Sequence, residues 1–233
     1  GAGSQLGQPG RWAIVEQINE FFEILPIPRD APTIPEGVDI LMLVHPKNIK
    51  NSMLYDIDQF VLRGGRVLAF VDANAEAAAR PGPANKKDPI SDFDFTLESW
   101  GVRLVKGKIA GDLISARRVN VRNGANMAVA DYVAWLALNK SNFDKTDVVT
   151  GDIEIINVAT SGILEAIEGK GTKFKPIIST SDQSMKIERE RITPQPDVLG
   201  LFREFKPLGK PLTIAARVTG RISSAFSEGP PKG

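Results

Sequence analysis

The residues with the chemistry to act on a ligand are few, and the first is His45, the single histidine of a chain that has no cysteine. Without a thiol there is no cysteine nucleophile, no Cys-ligated zinc or iron-sulfur cluster and no disulfide framework. With one imidazole there is no His-rich metal site, and any Ser-His-Asp relay has to run through His45. His45-Pro46 closes one apolar run and Asp72 closes another. In an open α/β sheet such strand ends lie side by side, about 4.8 Å apart for adjacent strands, at the place where ligands bind. His45, Pro46, Asp72 and Asn74 are therefore the candidate ligand- or partner-binding residues, with His45 as a polar contact or base and Asp72 as an acceptor. The competing reading makes them turn and cap residues. No catalytic residue, metal site or cofactor is assigned.

Other chemistry-bearing groups read as structural. Asp56 and Asp58 are two apart in a helical stretch, so they point about 200° away from each other and are expected on solvated faces. Ser179-Thr180-Ser181-Asp182 has the residue types of a helix N-cap. Lys186 to Arg191 mixes both charge signs and reads as a salt-bridged solvent face. Phe93, Phe95 and Trp100 read as core, not as a base-stacking platform. No GxGxxG, P-loop or GxSxG pattern occurs, which removes the usual devices for NAD, ATP and serine-esterase chemistry.

The elements that position these groups follow from periodicity. Trp12, Val15, Ile18, Phe22 and Leu25 recur at helical spacing, and a proline-rich connection follows. Val38 to Val44 is a continuous apolar run, the signature of a parallel strand covered on both faces. A helix with Ser52 as N-cap comes next, with Leu54, Ile57 and Val61 on one side, and Gly64-Gly65 ends it. Arg66 to Val71 then reads as a second buried strand, making a right-handed parallel crossover. Residues 73–91 are expected to form a mobile surface loop, 91–100 a short helix and 102–109 a strand. Met127 to Leu138, Ile153 to Ala159, Phe174 to Ile178 and Leu212 to Val218 are strand-like or mostly apolar, with a short helix from Asp197 to Phe205. The expected fold is α/β: a three-layer, mostly parallel sheet with flanking helices, Rossmann-like or amidotransferase-like, with additional β elements in the C-terminal half.

The chain is 233 residues long, enough for one sizeable core, and 29 Lys and Arg nearly balance 28 Asp and Glu. That balance gives no general pull toward polyanions, so nucleic acid is not an expected partner. No stretch reaches the roughly 20 apolar residues of a membrane span. Gly1-Ala2-Gly3-Ser4 reads as a cloning remnant, residues 1–10 as remnant and leader, 11–226 as a single α/β domain with room for a subdomain from about residue 113, and 227–233 as a linker tail.

The runs Val38 to Pro46 and Tyr55 to Arg66, continued by Val71-Asp72, Leu97 to Val102, Gly111-Asp112 and the closing Gly220-Arg221-Ile222-Ser223-Ser224-Ala225-Phe226, resemble the gliding-motility-type auxiliary components of ABC transport systems. The resemblance covers roughly residues 36 to 227. It implies an excised C-terminal part of a periplasmic soluble region, held at a bacterial inner membrane by helices absent here, with ABC permease and ATPase subunits as partners. Amidotransferase chemistry is excluded by the absence of cysteine. The expected function is that of a non-enzymatic auxiliary subunit that makes protein contacts or handles substrate. The alternative is a cell-envelope domain that binds a saccharide or other small ligand in the strand-end crevice.

Overall fold

The computed structural model describes residues 13–28, 31–76 and 89–231. Near the start, the expected crossover is present. Strand β1 (Ile40–Val44) and strand β2 (Arg66–Phe70) pair in parallel, from Ile40 opposite Arg66 to Val44 opposite Phe70, with helix α2 (Asn51–Leu62) between them. Helix α1 (Ala13–Asn19) precedes them and buries no residue, so nothing from tertiary packing extends it to Leu25.

Met53, Ile57 and Phe60 of α2 meet Leu41 of β1 in one apolar cluster that also holds Phe93, Leu97 and Trp100. Helix α2 starts after Lys50 with no side-chain cap, so Ser52 lies inside the helix and does not cap it. Its end requires both glycines. Gly64 sits at φ +96°, which other residues avoid, and a Cβ on Gly65 would overlap the Phe60 ring.

The rest of the described chain corrects the expected fold class. After helix α3 (Asp94–Ser99) and Gly101 at φ +87°, the predicted 102–109 strand breaks at Gly107 (φ +65°). It becomes β3 (Val102–Leu104) and β4 (Lys108–Asp112), which belong to different sheets. Strand β3 does not extend β1–β2; it pairs antiparallel with β8 (Leu164–Ala166) in the order β3-β8-β11-β9, where β9 is Thr172–Ser179 and β11 is Thr213–Gly220. Strands β5 (Ala116–Asn123), β6 (Asn126–Asn139) and β7 (Ile155–Ala159) form an antiparallel meander, and β10 (Ser184–Glu188) pairs antiparallel with β4.

The protein is therefore not a three-layer, mostly parallel Rossmann-like or amidotransferase-like sheet. Among the described residues one strand pair is parallel and the others are antiparallel; the expected additional C-terminal strands are the larger part of the fold. The misleading signal was the unbroken apolar run of β1. An apolar run predicts cover on both faces, yet Ile40, Met42 and Val44 stand exposed, as do Leu68 and Phe70 beside them.

The main core lies in the antiparallel half. Val133, Ala134, Leu136 and Leu138 of β6 are fully buried, as are Ile109 of β4 and Leu201 of helix α4 (Val198–Arg203), and Ile187 of β10 is nearly so. Asp197 caps α4 by accepting a bond from the Gly200 amide at 2.9 Å. The stretch read as a charged face is half strand: Ile187 is buried in β10, while Lys186 donates to Glu165 at 2.7 Å and Arg191 to Glu204 at 2.8 Å. No helix follows the Ser179-to-Asp182 cluster; Ser181 instead donates its hydroxyl to buried Asp112 at 2.9 Å. No helix among the described residues is long and apolar enough to cross a membrane.

Candidate functional site

The ends of β1 and β2 meet as the crossover requires. The His45 amide donates to the Phe70 carbonyl at 2.9 Å, carrying the ladder one residue beyond the strands. His45 then turns into the left-handed region at φ +47°, an uncommon conformation for a residue with a Cβ. That turn brings its Nδ1 within 3.0 Å of Ser91 Oγ and 3.2 Å of Asp72 Oδ2. Ser91 Oγ also accepts from the Asp72 amide at 2.8 Å, and the Ser91 amide donates to the Asp72 carbonyl at 2.9 Å. Pro46 is buried, and its carbonyl accepts from the Asp92 amide at 2.8 Å. Both ends of the 73–91 segment are thus fastened at the strand ends; residues 77–88, where most of the expected surface loop falls, lie outside the described residues.

Asn74 turns the other way. It is buried, its carbonyl accepts from Thr160 Oγ1 at 3.0 Å, and its side-chain oxygen accepts from Thr193 Oγ1 at 3.0 Å. Thr160 has φ +47°, a strained conformation for a β-branched residue, and is held by its amide N–H, which donates to the Ala134 carbonyl at 2.9 Å. The structure therefore brings His45, Pro46 and Asp72 together, while Asn74 ties the β2 end to the antiparallel half. Within the first group, Asp72 is the exposed member, at 44% for its side chain against 20% for His45. Burial lifts the Asp72 carboxyl above its ordinary range, against the pull of the His45 imidazole.

A Ser, a His and an Asp in contact invite a relay reading, and the geometry does not support it. A relay needs the hydroxyl on one ring nitrogen and the carboxylate on the other. Here both reach Nδ1, Ser91 is buried with its oxygen committed to the Asp72 amide, and Nε2 is enclosed without a hydrogen-bond partner among the described residues. The arrangement works as a clamp across two strand ends. Two open concavities, of about 310 and 390 Å³, are lined by residues 225–231 and by residues at the opposite end of β1 and β2, and neither includes His45, Asp72 or Asn74.

Sequence reading placed Asp58 on a solvated face; it is fully buried. Its carboxylate accepts from Trp100 Nε1 at 3.1 Å, Ser224 Oγ at 2.6 Å and the Ala225 amide at 3.2 Å. The closing segment is thereby strapped to α2, and Phe226 adds edge-on contacts to Tyr55 and Phe95, each with ring centroids 5.4 Å apart. Phe95, expected in the core, is mostly exposed apart from that contact. A signal for Asp58 existed: it is four residues after Leu54 and three before Val61, on the apolar stripe itself. Ser91, Thr160 and Thr193 carried no local signal, because their partners are 46, 86 and 119 residues away.

These features define an α+β domain in which a short parallel crossover, clamped at its strand ends, is joined to a larger body of small antiparallel sheets. The family profile described as an ABC-type uncharacterized transport system matches residues 2–233, and the chain belongs to that family, the auxiliary components of ABC transport systems. No curated protein and no solved structure matches the chain.

Proposed function

We propose that the chain is a non-enzymatic, extracytoplasmic subunit that contacts the permease and ATPase of its transport system through the end of the parallel crossover. The observation that carries this is the family match over residues 2–233. Two features of the site support it. The single imidazole is engaged in a clamp, its Nε2 enclosed, and Asp72, with its side chain 44% exposed, offers a carboxylate for recognition at the root of the 73–91 segment.

Co-purification tests the reading. The full-length protein recovers its permease and ATPase from detergent extract, and Asp72→Lys combined with Lys86→Glu and Lys87→Glu lowers the recovery several-fold with the fold intact by circular dichroism. Undiminished recovery would move the contact elsewhere. A catalytic turnover that disappears in His45→Ala would overturn the non-enzymatic reading. Protease added to intact spheroplasts tests location: an extracytoplasmic domain is cut and a cytoplasmic one is spared.

A further inference from the structure

The crossover carries a second surface, on the face of β1–β2 turned away from α2. Ile40, Met42 and Val44 line it on one strand and Leu68 and Phe70 on the other, in register, with Arg66 opposite Ile40 as its charged residue. Contiguous exposed apolar side chains on one sheet face are a candidate contact surface.

The same chain holds a segment with the complementary surface. Helix α1 buries nothing, and Phe21 is 80% and Phe22 62% exposed, with Ile14 and Leu25 about half exposed. Between residues 13 and 28 the charged residues are Glu16, Glu20 and Glu23, with no Lys or Arg. An acidic, apolar arm thus faces the need of an apolar sheet whose charge is an arginine. The arm has a fixed root: Ile27, Ala31, Ile34 and Val38 pack into the cluster on the α2 side. Among the described residues of the single chain, nothing covers either surface.

We propose that the arm of residues 13–25 of a second copy lies over the open β1–β2 face, while the first copy's arm covers the second copy's sheet. A two-fold dimer satisfies both surfaces in both chains at once, and each contact is made twice. The charge match of Glu16, Glu20 and Glu23 with Arg66 sets the partner apart from a generic apolar one.

Sedimentation or light scattering of the purified chain tests this. The mass in the micromolar range is twice 25.3 kDa. Phe22→Asp with Leu25→Asp on the arm, and Leu68→Asp with Phe70→Asp on the sheet, each weaken the dimer by roughly tenfold or more. The arm variant lies outside every apolar core, so its loss of dimer is not a loss of fold. Because the chain has no cysteine, Phe22→Cys in one copy and Met42→Cys in another can be joined by a flexible bismaleimide; the predicted product links two chains. A monomer at all concentrations, a dimer unmoved by both variants, or, in a chain carrying both cysteines, a link within one chain would each overturn the proposal.

Discussion

Strand β1 of the parallel crossover and strand β6 of the antiparallel body are both mostly apolar, and their apolar side chains have opposite fates. In β6 Val133, Ala134, Leu136 and Leu138 reach a closed core. In β1 every second apolar side chain faces outward. Apolar composition therefore states what a strand is able to bury, and only the number of layers around it decides what it does bury. Both halves leave apolar side chains exposed, Met127, Val129 and Ile155 in the body among them; what distinguishes the crossover is that its exposed residues stand in register on one face of a paired sheet.

The largest expected effect lies in the body. Leu136→Ala removes a fully buried side chain from β6, and denaturant unfolding should show a loss of about 2–5 kcal/mol. A loss below about 1 kcal/mol would mean that the β6 core is looser than its burial indicates. Next is the strap between the halves of the chain. Asp58→Ala strands the Trp100 and Ser224 donors and the Ala225 amide, at a cost of about 1–3 kcal/mol. Loosening of residues 220–226 in limited proteolysis should accompany it; an uncut tail would show that Phe226 alone holds the segment.

Smaller again is the helix cap. Asp197→Ala should cost about 1 kcal/mol, and Asp197→Asn, which keeps an acceptor for the Gly200 amide, should restore most of it. A pH effect follows from Asp144, which Lys175 and Thr146 hold down to about 2 from an ordinary 3.8. Its contribution is full above the unfolded value and is lost as pH falls through about 2. Carboxyl NMR should show Asp144 still ionised at pH 3, and Lys175→Met should move its midpoint upward. At the bottom of the scale, Leu68→Ala on the open face should change the stability of the monomer by no more than about 0.5 kcal/mol. A larger loss would show that the face is already covered within one chain.

Local signals made the crossover legible. The apolar run of β1, the apolar face of α2 and the Gly64-Gly65 stop each depend on neighbours within a few residues; the strand, the helix and its end are where those signals put them, while the buried face of α2 centres on Met53, Ile57 and Phe60 and not on Leu54 and Val61. The contact of His45 with Asp72 followed from strand adjacency alone. What escaped was set by distant partners: the open outer face of β1, Ser91 reaching back to His45, Thr160 holding Asn74, and Trp100 and Ser224 converging on Asp58. The sheet order of the body escaped for the same reason, since the pairing of β3 with β8 and β4 with β10 is decided by packing far along the chain. Gly107 was the one local clue that the 102–109 run would divide.

Hydrogen exchange of the chain, alone and bound to its permease and ATPase, tests the division of labour directly. The expected result is that β6 amides open only with global unfolding in both states, while binding slows exchange at the strand ends around His45, Asp72 and Ser91. Slowing confined to the antiparallel sheets, with the strand ends unchanged, would contradict the assignment of contact to the crossover.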